Sequence, residues 1–214
     1  MKKLEHLVAE KLLKVKAVKL QPANPFTWAS GWKSPIYCDN RKTLSYTEVR
    51  NFIRTELTRT VMEQFAEVDV IVGVATGAIA QGALVADQMG LPFGYVRSAA
   101  KDHGMTNLIE GDIRPGQKVV VVEDLISTGG SSLKAVEALR QAGCEVVGMV
   151  AIFTYDFPIA NQKFKEAGVR LLTLSNYNAI VEEALNISYI AADEVETLKE
   201  WRKDPAKWGL NKEG

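Results

Sequence analysis

Several things are scarce in these 214 residues, and each scarcity excludes a class of protein. No apolar run approaches the ~18 residues that a membrane-crossing helix needs. There are only two cysteines, Cys38 and Cys144, and no Cys/His spacing suggests zinc. They read as two reduced thiols of a cytosolic protein. The N-terminus, Met1-Lys2-Lys3-Leu4-Glu5-His6, lacks the apolar run of a signal peptide, so the cytoplasm is the expected location. Charge of one sign is also missing. Lys+Arg and Asp+Glu stand at 26 each, which argues against a general nucleic-acid binder. Neither a Gly-x-x-x-x-Gly-Lys-Ser/Thr loop nor a Gly-x-Gly-x-x-Gly turn occurs, which removes the P-loop and dinucleotide readings. No repeat, low-complexity segment or linker breaks the chain.

What is present is an alternation of strand and helix patterns. Leu4, Leu7, Val8, Lys11, Leu12 and Val15 fall at helical spacing over 4–16. A turn-rich segment at 21–35 carries Phe26, Trp28 and Trp32, either as a lid or as packing against the rest of the chain. Ser45 and Glu48 have capping-box spacing for a helix running to about Phe65. Strands are expected at 68–74, 93–97, 118–123, 145–153 and 169–175. Helices are expected at 79–89, 132–142, 159–167, 178–185 and 192–203. Residues 98–114 are polar and lack periodicity. The expected architecture is therefore α/β, a mostly parallel central sheet flanked by helices, with a small N-terminal hood. The chain divides into a helix and hood at about 1–45, a core at 46–205 and a tail at 206–214.

Ligands of such sheets bind beyond the carboxyl ends of the strands. Three loops fall there: 73–79, 98–112 and 124–131. In the last, Val119-Val120-Val121-Val122 runs into Glu123-Asp124, then Leu125-Ile126-Ser127-Thr128-Gly129-Gly130-Ser131 leads into a helix. Small residues at a helix N-terminus expose backbone N–H groups to an anion the size of a phosphate. Carboxylates are poor partners for the phosphate itself but good acceptors for the hydroxyls of an attached ribose. Two acids with three hydroxyl residues exceed what a structural turn requires.

The segment from Val119 to Ser131 resembles the phosphoribosyl-diphosphate (PRPP) motif of type I phosphoribosyltransferases. Two further segments resemble the orotate branch of that family. Phe26-Thr27-Trp28-Ala29-Ser30-Gly31-Trp32-Lys33-Ser34-Pro35 is similar to its hood, and Tyr95-Val96-Arg97-Ser98-Ala99-Ala100-Lys101-Asp102-His103-Gly104 to its catalytic loop. Residues 36–41, 151–155 and 200–205 are similar to one branch of it, so the resemblance spans roughly residues 5–208. It implies transfer of ribose 5-phosphate from PRPP to orotate in pyrimidine biosynthesis, with Mg²⁺ held mainly by PRPP and no direct protein ligand. It also implies a homodimer whose catalytic loop is shared across the interface, with neither nucleic acid nor membrane as partner. Lys101, His103 and Asp124 would be catalytic. Arg97, Lys101, His103 and the run Glu123, Asp124, Leu125, Ile126, Ser127, Thr128, Gly129, Gly130 and Ser131 would bind PRPP. Ser127, Phe26 and Lys33 would meet orotate, and Ala75, Thr76 and Gly77 would form the pyrophosphate loop.

The reaction expels pyrophosphate from C1′ of the ribose, so it needs cations around the leaving group and exclusion of water. Arg97 can clasp diphosphate oxygens as a fork. Lys101 and His103 sit on a glycine-bounded loop able to close, and His103 can donate a proton near neutral pH. Four positions depart from the familiar cation pattern: Ala29, Gly77, the Ser98-Ala99 pair after Arg97, and Tyr155. More of the diphosphate charge then falls to Mg²⁺, and recognition of the orotate carboxylate falls to the backbone of 26–31 or to Lys33. The alternatives are a transferase for a purine or uracil, or a PRPP-sensing regulator. The hood and the Lys-Asp-His-Gly loop weigh against the first, and the lack of a DNA-binding module and of basic charge against the second. Replacing Lys101 by Ala is expected to lower kcat by roughly 10²-fold, the worth of one preorganised donor. Near-normal turnover in steady-state kinetics would remove Lys101 from the mechanism.

Overall fold

The computed structural model describes residues 2–28, 31–98 and 108–208. In chain order the elements are α1 (Leu4–Lys14), β1 (Val18–Leu20), β2 (Phe26–Thr27), β3 (Lys33–Ser34), β4 (Ile36–Cys38), a 3₁₀ helix (Asn40–Ser45), α2 (Thr47–Gln64), β5 (Val70–Val74), α3 (Ile79–Met89), β6 (Phe93–Val96), β7 (Ile109–Glu110), β8 (Lys118–Ile126), α4 (Gly130–Gln141), β9 (Glu145–Thr154), α5 (Pro158–Glu166), β10 (Leu171–Asn176), α6 (Tyr177–Asn186) and α7 (Glu194–Lys203).

Six strands form the central sheet in the order β10-β9-β8-β5-β6-β7. All its pairs are parallel except β6 with β7. The mostly parallel sheet expected from the sequence is present, with one antiparallel edge strand taken from the unpatterned stretch after residue 98. The valine run of β8 shows why a near-continuous apolar strand forms here. Val119 and Val121 join the core on one face, with Ala135, Val136 and Leu139 of α4 and Phe164 of α5. Val120 and Val122 join the core on the other face, with residues of α1, α2, α3, α6 and α7. A strand buried on both faces has no polar side to show, which is the signature of a parallel sheet between helical layers.

Strand order reverses beside β5: the chain passes from β5 outward to β6 and β7, then crosses back to β8 on the other side. The carboxyl ends of β5 and β8 therefore flank the switch point where such sheets bind ligands. Both ends open onto glycine-containing loops.

The hood consists of two small antiparallel pairs, β1 with β4 and β2 with β3. It is fixed by tryptophans rather than by sheet extension. Trp201 of α7 is fully buried and donates Nε1–H to the carbonyl of Lys33 at 3.1 Å. Trp28 donates its own to the carbonyl of Ile36 at 3.1 Å and meets the Trp201 ring edge-on at 5.6 Å. Of the two readings of the hood aromatics, Trp28 thus takes the packed one.

Beyond shifts of one or two residues elsewhere, three boundaries differ from the sequence reading where they bear on the site. Ser45 does not cap α2. The 3₁₀ turn consumes it, the helix starts two residues later with Tyr46 at its N-cap and no side-chain bond, and Glu48 pairs instead with Lys11 at 3.0 Å. Strand β8 runs to Ile126 rather than stopping at Glu123, because parallel pairing with β9 continues through Leu125–Phe153 and Ile126–Thr154. Helix α4 starts at Gly130 rather than at 132, because Gly129 adopts a left-handed φ of +76° as its N-cap. A Cβ at Gly129 would also lie 2.9 Å from the Phe164 ring, so glycine is demanded there by both conformation and space.

A candidate active site at the sheet switch point

A cleft of about 510 Å³ opens between the ends of β5 and β8. Its walls are Ala75, Thr76 and Gly77 after β5, Glu123 to Leu125 within β8, Ser127 to Ser131 after it, and Cys38, Asp39 and Arg41 from the end of the hood. The peptide between Ala75 and Thr76 is cis. Two of the three loops expected at this edge therefore share one cavity.

Glu123 is 4% exposed, and both its oxygens are occupied. Oε1 accepts from the Asp124 N–H at 2.9 Å, and Oε2 accepts from the Ser132 hydroxyl at 2.8 Å, one turn into α4. The carboxylate thereby ties the strand to the helix across the intervening loop. Asp124 is held differently. Its carbonyl accepts from Asn40 Nδ2 at 2.6 Å, and its carboxylate lies directly against Gly77. A Cβ on Gly77 would sit 2.3 Å from Asp124 Oδ2, so any side chain there would displace the acid. The glycine that replaces a familiar lysine thus leaves room for Asp124 to face the cleft.

Burial dominates the electrostatics. It raises the Glu123 carboxyl to about 8, with the neighbouring Asp124 charge adding to the rise. Burial likewise raises Asp124, against the lowering influence of its bond to Glu123 and of Arg41 nearby. The two acids titrate as a pair, and at neutral pH the pair carries fewer than two charges. Cys38 remains a thiol, because burial pushes it well up and the Asp124 charge pushes the same way.

A second pocket of about 350 Å³ adjoins the first and shares Cys38, Leu125 and Ser127 with it. Thr27, Trp28, Tyr37 and Tyr155 complete its lining. Such a partly aromatic slot, with four hydroxyl-bearing residues in its lining, suits a flat, polar-edged ring. Tyr155 stands where an arginine would be familiar, and it is built into an aromatic cluster. Its ring lies 5.4 Å from Phe157, 5.3 Å from Trp28 and 5.9 Å from Trp201. Phe26 packs on Tyr37 at 5.6 Å, and Lys33 donates to the Thr27 hydroxyl at 3.1 Å. Both therefore stand behind the slot's lining residues rather than among them.

The remaining expected residues divide clearly. Leu125, Ser127, Thr128, Gly129, Gly130 and Ser131 line the cleft. Ile126 does not, since it is fully buried in the core cluster that also holds Val119 and Val121. Arg97 lines a neighbouring pocket of about 550 Å³ with Lys134, beyond Gly130 and Ser131, and lies 3.6 Å from Glu110. Lys101 and His103 lie outside the described residues, as does Ala29. Asp39, Arg41, Tyr37 and Trp28 enter the two cavities without having been singled out as site residues. The sequence signals for Asp39 and Arg41 are the likeness of residues 36–41 to one branch of the family and a polar triplet, Asp39-Asn40-Arg41, at the end of the short strand Ile36-Tyr37-Cys38.

The phosphoribosyl transferase domain family matches residues 45–187. An orotate phosphoribosyltransferase of Bacteroides fragilis is 68% identical over 212 residues, covering 99% of this chain and all of the relative. One of Porphyromonas gingivalis is 64% identical over 210 residues, covering 98% and 100%. The solved structure of orotate phosphoribosyltransferase from Aeropyrum pernix superposes with a TM-score of 0.75 at 30% identity, covering 86% of this chain and 99% of that one.

A group whose folded pKa lies above its unfolded value stabilises the fold most at low pH. For Glu123 that contribution is complete below about pH 4.5 and is lost as pH rises through about 8. Glu123→Gln keeps the shape without the ionisation. Chemical denaturation of both proteins from pH 5 to 9 is expected to show the wild type losing ground to the variant steadily across that window. A stability difference independent of pH would mean that Glu123 is already ionised at pH 5.

Proposed function

The chain belongs to the orotate phosphoribosyltransferase family, and from that premise we infer that it transfers ribose 5-phosphate from PRPP to orotate. The products are orotidine 5′-monophosphate and pyrophosphate, in the biosynthesis of UMP. The observation that carries this reading is the pairing of an anion nest and an acid in one cleft with an aromatic slot next to it. The nest is the 127–131 turn at the start of α4, the acid is Asp124, and the slot shares Ser127 and Leu125 with the cleft.

The backbone amides at 127–131 receive the 5′-phosphate, aided by the partial positive charge of the helix start. Asp124 accepts the ribose hydroxyls. Glu123 supports it by fixing its backbone and, with its own carboxyl raised to about 8 by burial, adds little charge beside it at neutral pH. The loop at 75–77, whose Gly77 lies against Asp124, receives the diphosphate. Orotate enters the slot edged by Thr27, Trp28 and Ser127. In the step itself the C1′–O bond to diphosphate breaks and its electron pair leaves with pyrophosphate. Orotate N1 forms the new bond to C1′ and releases its proton. Lys101, His103 and Arg97 serve the leaving group, contributed in a homodimer by the partner's loop.

The donors on the cleft wall are hard oxygens, the carboxylates of Asp39 and Asp124 and the hydroxyls of Ser127 and Thr128. They fit a Mg²⁺ that arrives on the diphosphate and keeps most of its waters. Bound there, the ion would offset charge on the departing pyrophosphate. No helix among the described residues is long and apolar enough to cross a membrane. A cytoplasmic enzyme is proposed, in keeping with the unpaired thiols of Cys38 and Cys144.

Mixing the protein with PRPP, Mg²⁺ and orotate is expected to deplete the ultraviolet absorbance of orotate. Parallel mixtures with uracil, hypoxanthine or adenine are expected to stay inert. Turnover of one of those bases in place of orotate would overturn the assignment of substrate. Asp124→Asn is expected to weaken PRPP binding, and unchanged affinity by calorimetry would remove it from the ribose site.

A further inference from the structure

We propose that Arg41 is the cleft's own diphosphate-binding cation, a specificity residue for PRPP; this rests on the transferase reading above. Among the described residues that line the cleft, Arg41 is the one cation, set against the three carboxylates of Asp39, Glu123 and Asp124. PRPP brings two separate anionic groups. The 5′-phosphate has the backbone nest at 127–131. The diphosphate end meets Ala75, Thr76 and Gly77, whose side chains carry no charge. Within the cleft itself, the more highly charged end of the substrate therefore meets one side-chain cation, Arg41, beside whatever Mg²⁺ and the partner's loop bring to it.

The guanidinium is placed for that task. Arg41 follows the end of β4 and stands in the first turn of the 3₁₀ helix. Its neighbour Asn40 is fully buried and locks this turn to the Asp124 carbonyl at 2.6 Å. Arg41 bonds Asp39 Oδ1 through Nε at 2.7 Å, which leaves both Nη groups without a hydrogen-bond partner among the described residues. Its side chain is 59% exposed, in the open mouth of the cleft. Asp39 is the more buried partner, 18% exposed, and the Arg41 charge holds its carboxyl below the usual range. Asp39 thus aims the arginine by one edge and leaves the fork of Nη donors free for two phosphate oxygens.

The test compares Arg41→Gln, Arg41→Lys and Asp39→Asn with the wild type by steady-state kinetics. Wild-type turnover of orotate first establishes the parent reading, so a silent wild type refutes that reading and not the role of Arg41. Given turnover, Arg41→Gln is expected to raise KM for PRPP by about ten- to a hundred-fold, the worth of a hydrogen bond to a charged group. It is expected to leave KM for orotate within about twofold. Arg41→Lys is expected to recover only part of the loss, because a point charge cannot replace a fork. Asp39→Asn breaks the ion pair but keeps the cation and an amide oxygen able to aim it, so its KM for PRPP is expected to rise less than that of Arg41→Gln. Equal rises in Arg41→Gln and Asp39→Asn would mean that the pair merely props the loop, and would overturn the proposal. So would an unchanged KM for PRPP in Arg41→Gln. Binding by calorimetry separates the two ends of the substrate. Arg41→Gln is expected to weaken pyrophosphate and to spare orotidine 5′-monophosphate, and equal weakening of both would refute the diphosphate assignment.

Discussion

The site depends on the double hydrogen bond accepted by Glu123. A buried carboxylate takes the Asp124 N–H with one oxygen and the Ser132 hydroxyl with the other. The first bond sets the direction of the strand's last residues, and the second fixes where α4 begins. Between them lie only Leu125 to Ser131, so the phosphate-sized turn is closed by one side chain spanning it. Removing water from that carboxylate is costly, and the cost appears as a carboxyl raised to about 8. The parallel sheet makes such burial possible, since β8 is covered on both faces and its end stays dry until the cleft.

From that brace the remaining parts of the site fall into place by contact. Asp124 is turned outward and rests on Gly77, which sets the loop after β5 against the end of β8. Asn40 takes the Asp124 carbonyl and so fastens the end of the hood to the same strand. The hood is secured on its far side by Trp28 and Trp201, whose indole N–H groups meet backbone carbonyls within the hood. The aromatic cluster around Tyr155 therefore does two jobs. It forms the floor of the slot beside the cleft, and it carries the load of a hood that has little sheet of its own. An arginine at position 155 would introduce a charge into that cluster, so the aromatic choice there and the tryptophan-pinned hood are mutually consistent.

Much of this was legible in the sequence, and the limits have physical reasons. The sheet, its helices and the 123–131 turn were readable because β-branched alternation, helical stripes and glycine-hydroxyl turns are local patterns. The extension of β8 to Ile126 was not, because Glu-Asp reads as a strand end until pairing with β9 is known. Ser45 and Glu48 matched a capping box, yet the competing 3₁₀ turn won once Asn40 was anchored to Asp124, a partner 84 residues away. Arg41 was overlooked as a site residue for the same reason, since only the tertiary fold carries the end of β4 to the cleft. Phe26 and Lys33 lie beside the slot rather than in its lining, Phe26 packed on Tyr37 and Lys33 bonded to the Thr27 hydroxyl. Thr27 and Trp28, their neighbours along and across the hood, hold the inner positions. Glu123 was read as a ribose acceptor beside Asp124, and the fold instead commits both its oxygens to the protein.

The central claim is that one cleft holds the ribose at Asp124 and the 5′-phosphate on the turn that Glu123 closes. A crystal structure of the protein with PRPP and Mg²⁺ tests it most directly. Ribose hydroxyls are expected within hydrogen-bond distance of the Asp124 carboxylate, the 5′-phosphate on the backbone amides of 127–131, and Glu123 still bonded to Ser132. A phosphate seated elsewhere, or a ribose that reaches Glu123 only after the Ser132 bond has broken, would contradict it.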